Sequence, residues 1–230
     1  MKIFLQFCLF SFLILLAGCA SISRADQRTD SGSYTKSTQK QKDDFPSIKK
    51  DGLTAPICNP IPAGQIEILE SFEEDCYWYA EGRKISSDYS ISCELSDLWA
   101  SDGEQSAMFT FGRAPETSYS TFTCDTPAIS NWTGAAIVTA DINNTTSKSL
   151  TVFLRLQTGN NHDAITTQEV ILGAGENTNV YFDLSHDMKD ENGNDIPSLI
   201  EENDIRCISF VFKGINEGGT VFIDNVNLVR

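Results

Sequence analysis

The chain has 230 residues, 40% of them hydrophobic, with 17 Lys and Arg against 32 Asp and Glu, a formal net charge of −15. That apolar share is enough for a real core and excludes a wholly disordered chain, while 15 Gly without a triplet period and the absence of a sustained heptad exclude collagen-like and coiled-coil architectures. Residues 20–56 carry seven basic and five acidic side chains, but residues 57–230 carry nine basic and 27 acidic, a body that repels a phosphate backbone and disfavours nucleic acid and strongly anionic glycans.

Met1 and Lys2 precede an apolar run from Ile3 to Leu16, interrupted by Gln6 and Ser11. The run is too short to span a bilayer comfortably and reads as a secretory signal over residues 1–18. The tetrad Leu16-Ala17-Gly18-Cys19 that closes it resembles a bacterial lipobox. The resemblance implies cleavage before Cys19, acylation of its thiol and new amino group, and stable tethering through more than one acyl chain. Ala20, rather than Asp, follows Cys19, which by resemblance to enteric sorting rules points to the outer membrane. Residues 19–56 are rich in Ser, Thr, Gln, Lys and Asp and end in Pro46 and Pro56, so they read as a flexible polar tether ahead of a folded domain over 57–230.

Setting aside Cys8 in the signal and Cys19, five cysteines are left: Cys58, Cys76, Cys93, Cys124 and Cys207. An oxidising compartment permits disulfides, yet an odd number allows two bridges at most, and the spacing leaves the pairing open. No Cys-x-x-Cys occurs and there are two His, so a zinc site is not expected. Burial as small apolar residues is the alternative fate of these thiols.

From residue 64 onward short β-branched and aromatic segments are separated by Gly, Asn, Asp and Pro clusters. Strands are predicted at Gln65–Phe72, Ser106–Phe111, Ser118–Cys124, Ala135–Ile142, Leu150–Gln157, Thr166–Ile171, Asn179–Leu184, Cys207–Phe212 and Thr220–Val229. Leu150, Val152, Leu154 and Leu156 alternate with Thr151, Phe153, Arg155 and Gln157, giving one core face and one polar face. Pro197 near the start of Ile196–Asn203, with acidic residues after it, predicts a short helix there. Nine strands without βαβ spacing predict an all-β, two-sheet antiparallel β-sandwich or jelly roll.

The motifs follow a recognisable order: Ser71-Phe72-Glu73, then Trp78-Tyr79-Ala80-Glu81-Gly82, Ser106 to Gly112, Trp132-Thr133-Gly134, Thr151 to Leu156, and Gly218 to Val226 with its Phe222-Ile223-Asp224-Asn225-Val226 close. Together they resemble a carbohydrate-binding module of the galactose-binding-like jelly-roll type, over about residues 64–230. The resemblance implies a structural calcium held by a Glu of the first strand, an Asp of the last strand and backbone carbonyls. The matching positions are Glu73 and Asp224, although Ser71 stands where the family commonly has Asp. Solvated strand-end residues are the alternative reading of both. The acidic stretch Asp187–Asp195 lacks EF-hand spacing and reads as a solvated turn.

No Gly-x-Ser-x-Gly, His-Glu-x-x-His or P-loop is present, and His162 and His186 fall in loops. With the resemblance being to non-catalytic modules, the expectation is a protein that is not an enzyme. A glycan groove needs exposed aromatic rings interleaved with planar hydrogen-bonding groups. Phe153, Arg155 and Gln157 lie on the polar face of a strand that, by the resemblance, lines the concave sheet. Arg113 and Tyr119 flank the loop after Phe111-Gly112, and Tyr79 and Trp99 are candidates for the groove ends. Trp78 and Trp132 are expected to be structural. Arg155, in mid-strand, needs either a carboxylate neighbour or a ligand. The sequence thus predicts a lipid-anchored, non-catalytic protein that captures polysaccharide or oligosaccharide at the envelope, the alternatives being a protein-docking module of the same fold and an unrecognised glycan-cleaving enzyme.

Overall fold

In the segment Leu150–Thr158 every second residue is buried and the intervening ones are partly exposed, the alternation that the sequence predicts for a strand with one face in a core. The computed structural model describes residues 54–74, 76–82, 91–112, 119–213 and 218–230. The signal, Cys19, almost all of the predicted tether and Arg113 lie outside the described residues. Everything below concerns the described residues of the unit Lys49–Arg230.

Its strands in chain order are β1 (Ile66–Glu70), β2 (Tyr79–Gly82), β3 (Ile91–Ser96), β4 (Ser106–Phe111), β5 (Tyr119–Cys124), β6 (Ile137–Asn144) and β7 (Leu150–Thr158). Then follow β8 (Asp163–Thr166), β9 (Val170–Leu172), β10 (Gly175–Asp183), β11 (Met188–Lys189), β12 (Asp195–Ile196), β13 (Ile205–Lys213) and β14 (Gly219–Val229). One sheet has the order β10-β6-β14-β4-β3, with β1 also on β14; the other has the order β12-β11-β8-β7-β13-β5-β2, with β9 also on β7. The pairings between these strands are antiparallel, and the fold is the expected two-sheet sandwich. Strands β2 and β3 end their respective sheets.

Two sequence expectations are corrected. The predicted strand Thr166–Ile171 is two strands: β8 pairs with Arg155–Thr158 and β9 with Leu150–Val152. Between them the Leu154 N–H donates to the Thr167 hydroxyl, and the Thr167 N–H donates to the Leu154 carbonyl, so a side chain replaces a backbone acceptor and breaks the ladder. The predicted helix at 196–203 is absent. Ile196 belongs to β12, Glu201 has φ 48°, and the Leu199 N–H donates to the Leu184 carbonyl. A left-handed residue cannot continue a helix, and an eight-residue segment has too few intrahelical bonds to compete with such tertiary anchors.

The core is aromatic at its centre. Trp78 stacks on Phe122 with ring centroids 4.7 Å apart, and Phe122 also meets Phe72, Phe109 and Phe210. Trp132 is fully buried, so both tryptophans expected to be structural are in the core. Glu70 organises the turn that delivers Trp78: it accepts the Ser71 and Phe72 N–H groups through Oε1 and the Trp78 indole N–H through Oε2. At the N-terminal side the Ile57 N–H donates to Asn177 Oδ1, and the backbone of Cys58 forms an isolated parallel β-bridge with Thr178.

Candidate functional site

Residues directly opposite each other in an antiparallel ladder share a face, so the register of the eight-stranded sheet fixes which side chains gather on its outer side. One row across that face is Thr166, Arg155, Ser209, Thr123 and Tyr79, from β8, β7, β13, β5 and β2. The next is Phe153, Val211, Thr121 and Glu81, and the third is Thr151, Lys213 and Tyr119. Gln157 lies opposite Ala164 and Cys207 on the same side. The alternate residues of these strands, among them Leu154, Phe210 and Phe122, point into the core.

Five of the sequence-predicted groove residues, Tyr79, Tyr119, Phe153, Arg155 and Gln157, therefore share one face. Tyr119 and Arg155 both line an open trough of about 570 Å³ that also has Glu81, Ile91 and Thr121 in its walls. A second hollow of about 430 Å³ on this face includes Phe153, Thr166, Gln168 and Lys213. Trp99 is not brought there. Its indole N–H donates to Glu176 Oε1 at 3.1 Å and its ring packs on Phe222, which places it against the six-stranded sheet. The sequence shows Trp99 just past a short strand but does not show the partners 77 and 123 positions away.

The side chains on this face differ in how far they are already engaged. Lys213 pairs with Glu169 and sits 4.9 Å over the Phe153 ring, so that ring is partly covered by an ammonium rather than bare. The Tyr79 hydroxyl donates to Asp125 Oδ2 at 2.7 Å, and burial together with that carboxylate holds its phenol above the usual range. Tyr119 is 43% exposed. Among the described residues the half-buried Arg155 side chain has neither a hydrogen bond nor an ion pair.

Glu81, Thr121, Ser209 and Lys213 are among the members of the face that sequence reasoning missed. The alternation of Tyr119, Thr121 and Thr123 with Ser120, Phe122 and Cys124 carried the signal for β5. For Glu81 there was less to read, since β2 is four residues long.

Glu73 and Asp224 converge on one loop, Ser101–Gln105. Glu73 accepts the Glu104 and Gln105 N–H groups, and Gly103 packs so closely that a Cβ there would lie 2.2 Å from Glu73 Oε1. Asp224 is fully buried, aimed by a bulge in β14 where Asn225 has φ 50°. Its Oδ2 accepts the Ser101 N–H, the Ser101 hydroxyl and the Asp102 N–H, and its Oδ1 accepts the Asn225 N–H. Calcium takes about six to eight oxygen ligands. Here the two carboxylates meet hydrogen-bond donors, and among the described residues no three His, Cys, Asp or Glu side chains gather to hold a metal. As held in this structure the pair does not fit a calcium ion; it clasps a loop by its amides. The melting temperature is accordingly expected to be the same, within about 1 °C, in a chelator and in added calcium, because an ion that does not bind the folded state cannot stabilise it. A fall on chelation would restore the calcium reading.

One constellation invites a catalytic reading. Ser185 Oγ lies 2.6 Å from His186 Nδ1, which lies 3.3 Å from Asp183 Oδ2. Both contacts use the same ring nitrogen, whereas nucleophilic catalysis needs the acid on one nitrogen and the nucleophile on the other. These three residues form an exposed turn in which Asp183 also accepts the Ser185 N–H and hydroxyl.

No protein-family model matches the sequence, and no curated protein matches it significantly. Solved structures do match. The family 11 carbohydrate-binding module of the cellulosomal cellulase Lic26A-Cel5E of Clostridium thermocellum superposes with a TM-score of 0.54 at 14% identity, covering 73% of this chain and 96% of that one. The family 11 module in complex with a β-1,3-1,4-mixed-linked tetrasaccharide gives the same TM-score and identity over 97% of its chain. An exo-β-agarase superposes with a TM-score of 0.50 at 15% identity, over 70% of this chain and 24% of that one. At these identities the likeness is one of fold, and the fold is the β-sandwich found in carbohydrate-binding modules.

Proposed function

We propose that this protein is a non-catalytic glycan-binding module, anchored through acylated Cys19 at the outer membrane of a bacterium, that captures neutral polysaccharide in the trough between Tyr119 and Arg155. The observation that carries the reading is Arg155. A guanidinium held half-buried on a sheet face, without a protein partner among the described residues, is a set of planar donors available to vicinal hydroxyls. Tyr119 offers a partly exposed ring on which the C–H face of a sugar can stack, and Glu81 and Thr121 supply oxygen acceptors beside it. The family 11 module, described with a mixed-linked tetrasaccharide, provides a precedent for this scaffold holding a glycan.

Glu81, Thr121 and Arg155 make the trough polar, which favours a sugar over the protein-docking alternative, for which a contiguous apolar patch is the expected sign. The acidic body disfavours strongly anionic glycans. Tethered at a surface, such a module acts by raising the local concentration of polysaccharide for separate enzymes or transporters. Electrophoresis of the protein through gels containing soluble neutral polysaccharides tests the reading: retardation by a glycan is expected, and turnover of that glycan is not.

A further inference from the structure

The five cysteines of the body differ in where their thiols point. Cys124 lies opposite Ile208 and is part of the core, whereas Cys207 is the neighbour of Ile208 on β13 and faces the other side of the sheet, its Sγ 3.7 Å from Ser209 Oγ. These two cannot join without turning a strand over. Cys58 is exposed at the bridge to Thr178. Cys76 and Cys93 are different: both are half-buried, both pack against the same hydrophobic core, the strands β2 and β3 beside them are in contact, and each thiol is near enough to the other to influence its titration. Cys76 lies in the approach to β2 and Cys93 lies in β3, the strands that end the two sheets.

We infer that Cys76 and Cys93 are a disulfide pair that staples the two sheets of the sandwich together at their common edge. The chemistry is a thiol–disulfide exchange with an external protein or small-molecule disulfide as oxidant. The Cys76 thiolate attacks one sulfur of that disulfide, forming a mixed disulfide and releasing one thiolate of the oxidant. Cys93 then loses its proton to solvent and attacks the Cys76 sulfur, releasing the second thiolate. Two S–H bonds are lost, one S–S bond is gained, and two electrons pass to the oxidant, which ends as two thiols. The order of attack has a physical basis: the contact with Cys93 lowers the Cys76 thiol to about 7, while the same contact and burial push Cys93 upward. An apolar leader ahead of the domain is the sequence signal for delivery to a compartment that supplies such an oxidant.

The test is a thiol map of the full chain, equilibrated with oxidised glutathione, with free thiols alkylated before digestion. Arg83 and Lys84 lie between the two cysteines, so trypsin separates them unless they are bonded, and further cleavage after Glu67, Glu70, Glu73 or Glu74 separates Cys58 from Cys76. The expected product is a linked peptide pair containing Cys76 and Cys93 that comes apart on reduction. The melting temperature is expected to fall by roughly 10 °C in reductant, and a Cys76→Ser, Cys93→Ser double variant to melt at that lower value in both conditions. Alkylation of both thiols in the oxidised protein, or a bridge from either one to a different cysteine, would overturn the inference. Neither result bears on glycan binding, which is read separately.

Discussion

Arg155→Ala is expected to weaken binding of the retained glycan by about ten- to a hundredfold while leaving the melting temperature nearly unchanged. Hydrogen bonds made by a charged group contribute about 1.5–3 kcal/mol each, and each 1.4 kcal/mol is about a tenfold change in affinity. Arg155 is held in β7 by pairing with Ser209 on one side and Thr166 on the other, and its side chain has no hydrogen bond or ion pair among the described residues to lose. Arg155→Lys keeps the charge but not the planar fork, so it is expected to fall between wild type and alanine. Titration calorimetry beside a thermal melt separates the outcomes. A large drop in melting temperature with unchanged affinity would make Arg155 a structural residue.

Phe122→Ala is the substitution expected to cost the most stability, about 3–5 kcal/mol. Phe122 is fully buried, stacks on Trp78 and lies within 6.3 Å, centroid to centroid, of Phe72, Phe109 and Phe210. Its removal opens a cavity where strands of both sheets meet, and surrounding rings cannot collapse into it without leaving their own contacts. At about 2–4 °C per kcal/mol for a domain of this size, the melting temperature should fall by roughly 10 °C. Phe153→Ala, on the outer face of the same sheet, removes a half-exposed ring and its contact with Lys213, so the expected loss is about 1 kcal/mol. Urea unfolding of the two variants measures the contrast. Equal losses would mean that the aromatic cluster around Phe122 does not hold the sandwich together.

The parts of the fold legible in the sequence are those written in a period of two. In β7 the alternation of Leu150, Val152, Leu154 and Leu156 with polar neighbours fixes both the strand and the side that Arg155 faces, and β4 is read to the residue for the same reason. Strands β2 and β3 are four and six residues long and their burial is partial, so they leave little pattern to read. The break between β8 and β9 depends on a hydroxyl of Thr167 serving the backbone of Leu154, a pairing across thirteen residues that local propensity does not encode. The trough was half legible. Tyr119 and Arg155 stand out as an aromatic and a cation on polar faces, but their neighbours Glu81 and Ser209 join them only through the register of β2, β5 and β13. Trp99 and the Glu73–Asp224 pair show the limit of motif reading. Their place in the chain marks these residues, but their partners, Glu176 and the amides of Ser101–Gln105, are set by tertiary packing.

The central claim is that the outer face of the eight-stranded sheet holds a neutral polysaccharide. The measurement that tests it most directly is affinity electrophoresis of the wild type, Arg155→Ala and Tyr119→Ala through gels containing mixed-linkage β-glucan, xylan, agarose or an acidic polysaccharide. Retardation of the wild type by at least one neutral glycan, weakened in both variants and absent with the acidic one, is the predicted result. Migration of the folded wild type unaffected by every glycan, or retardation that both variants retain in full, would contradict it.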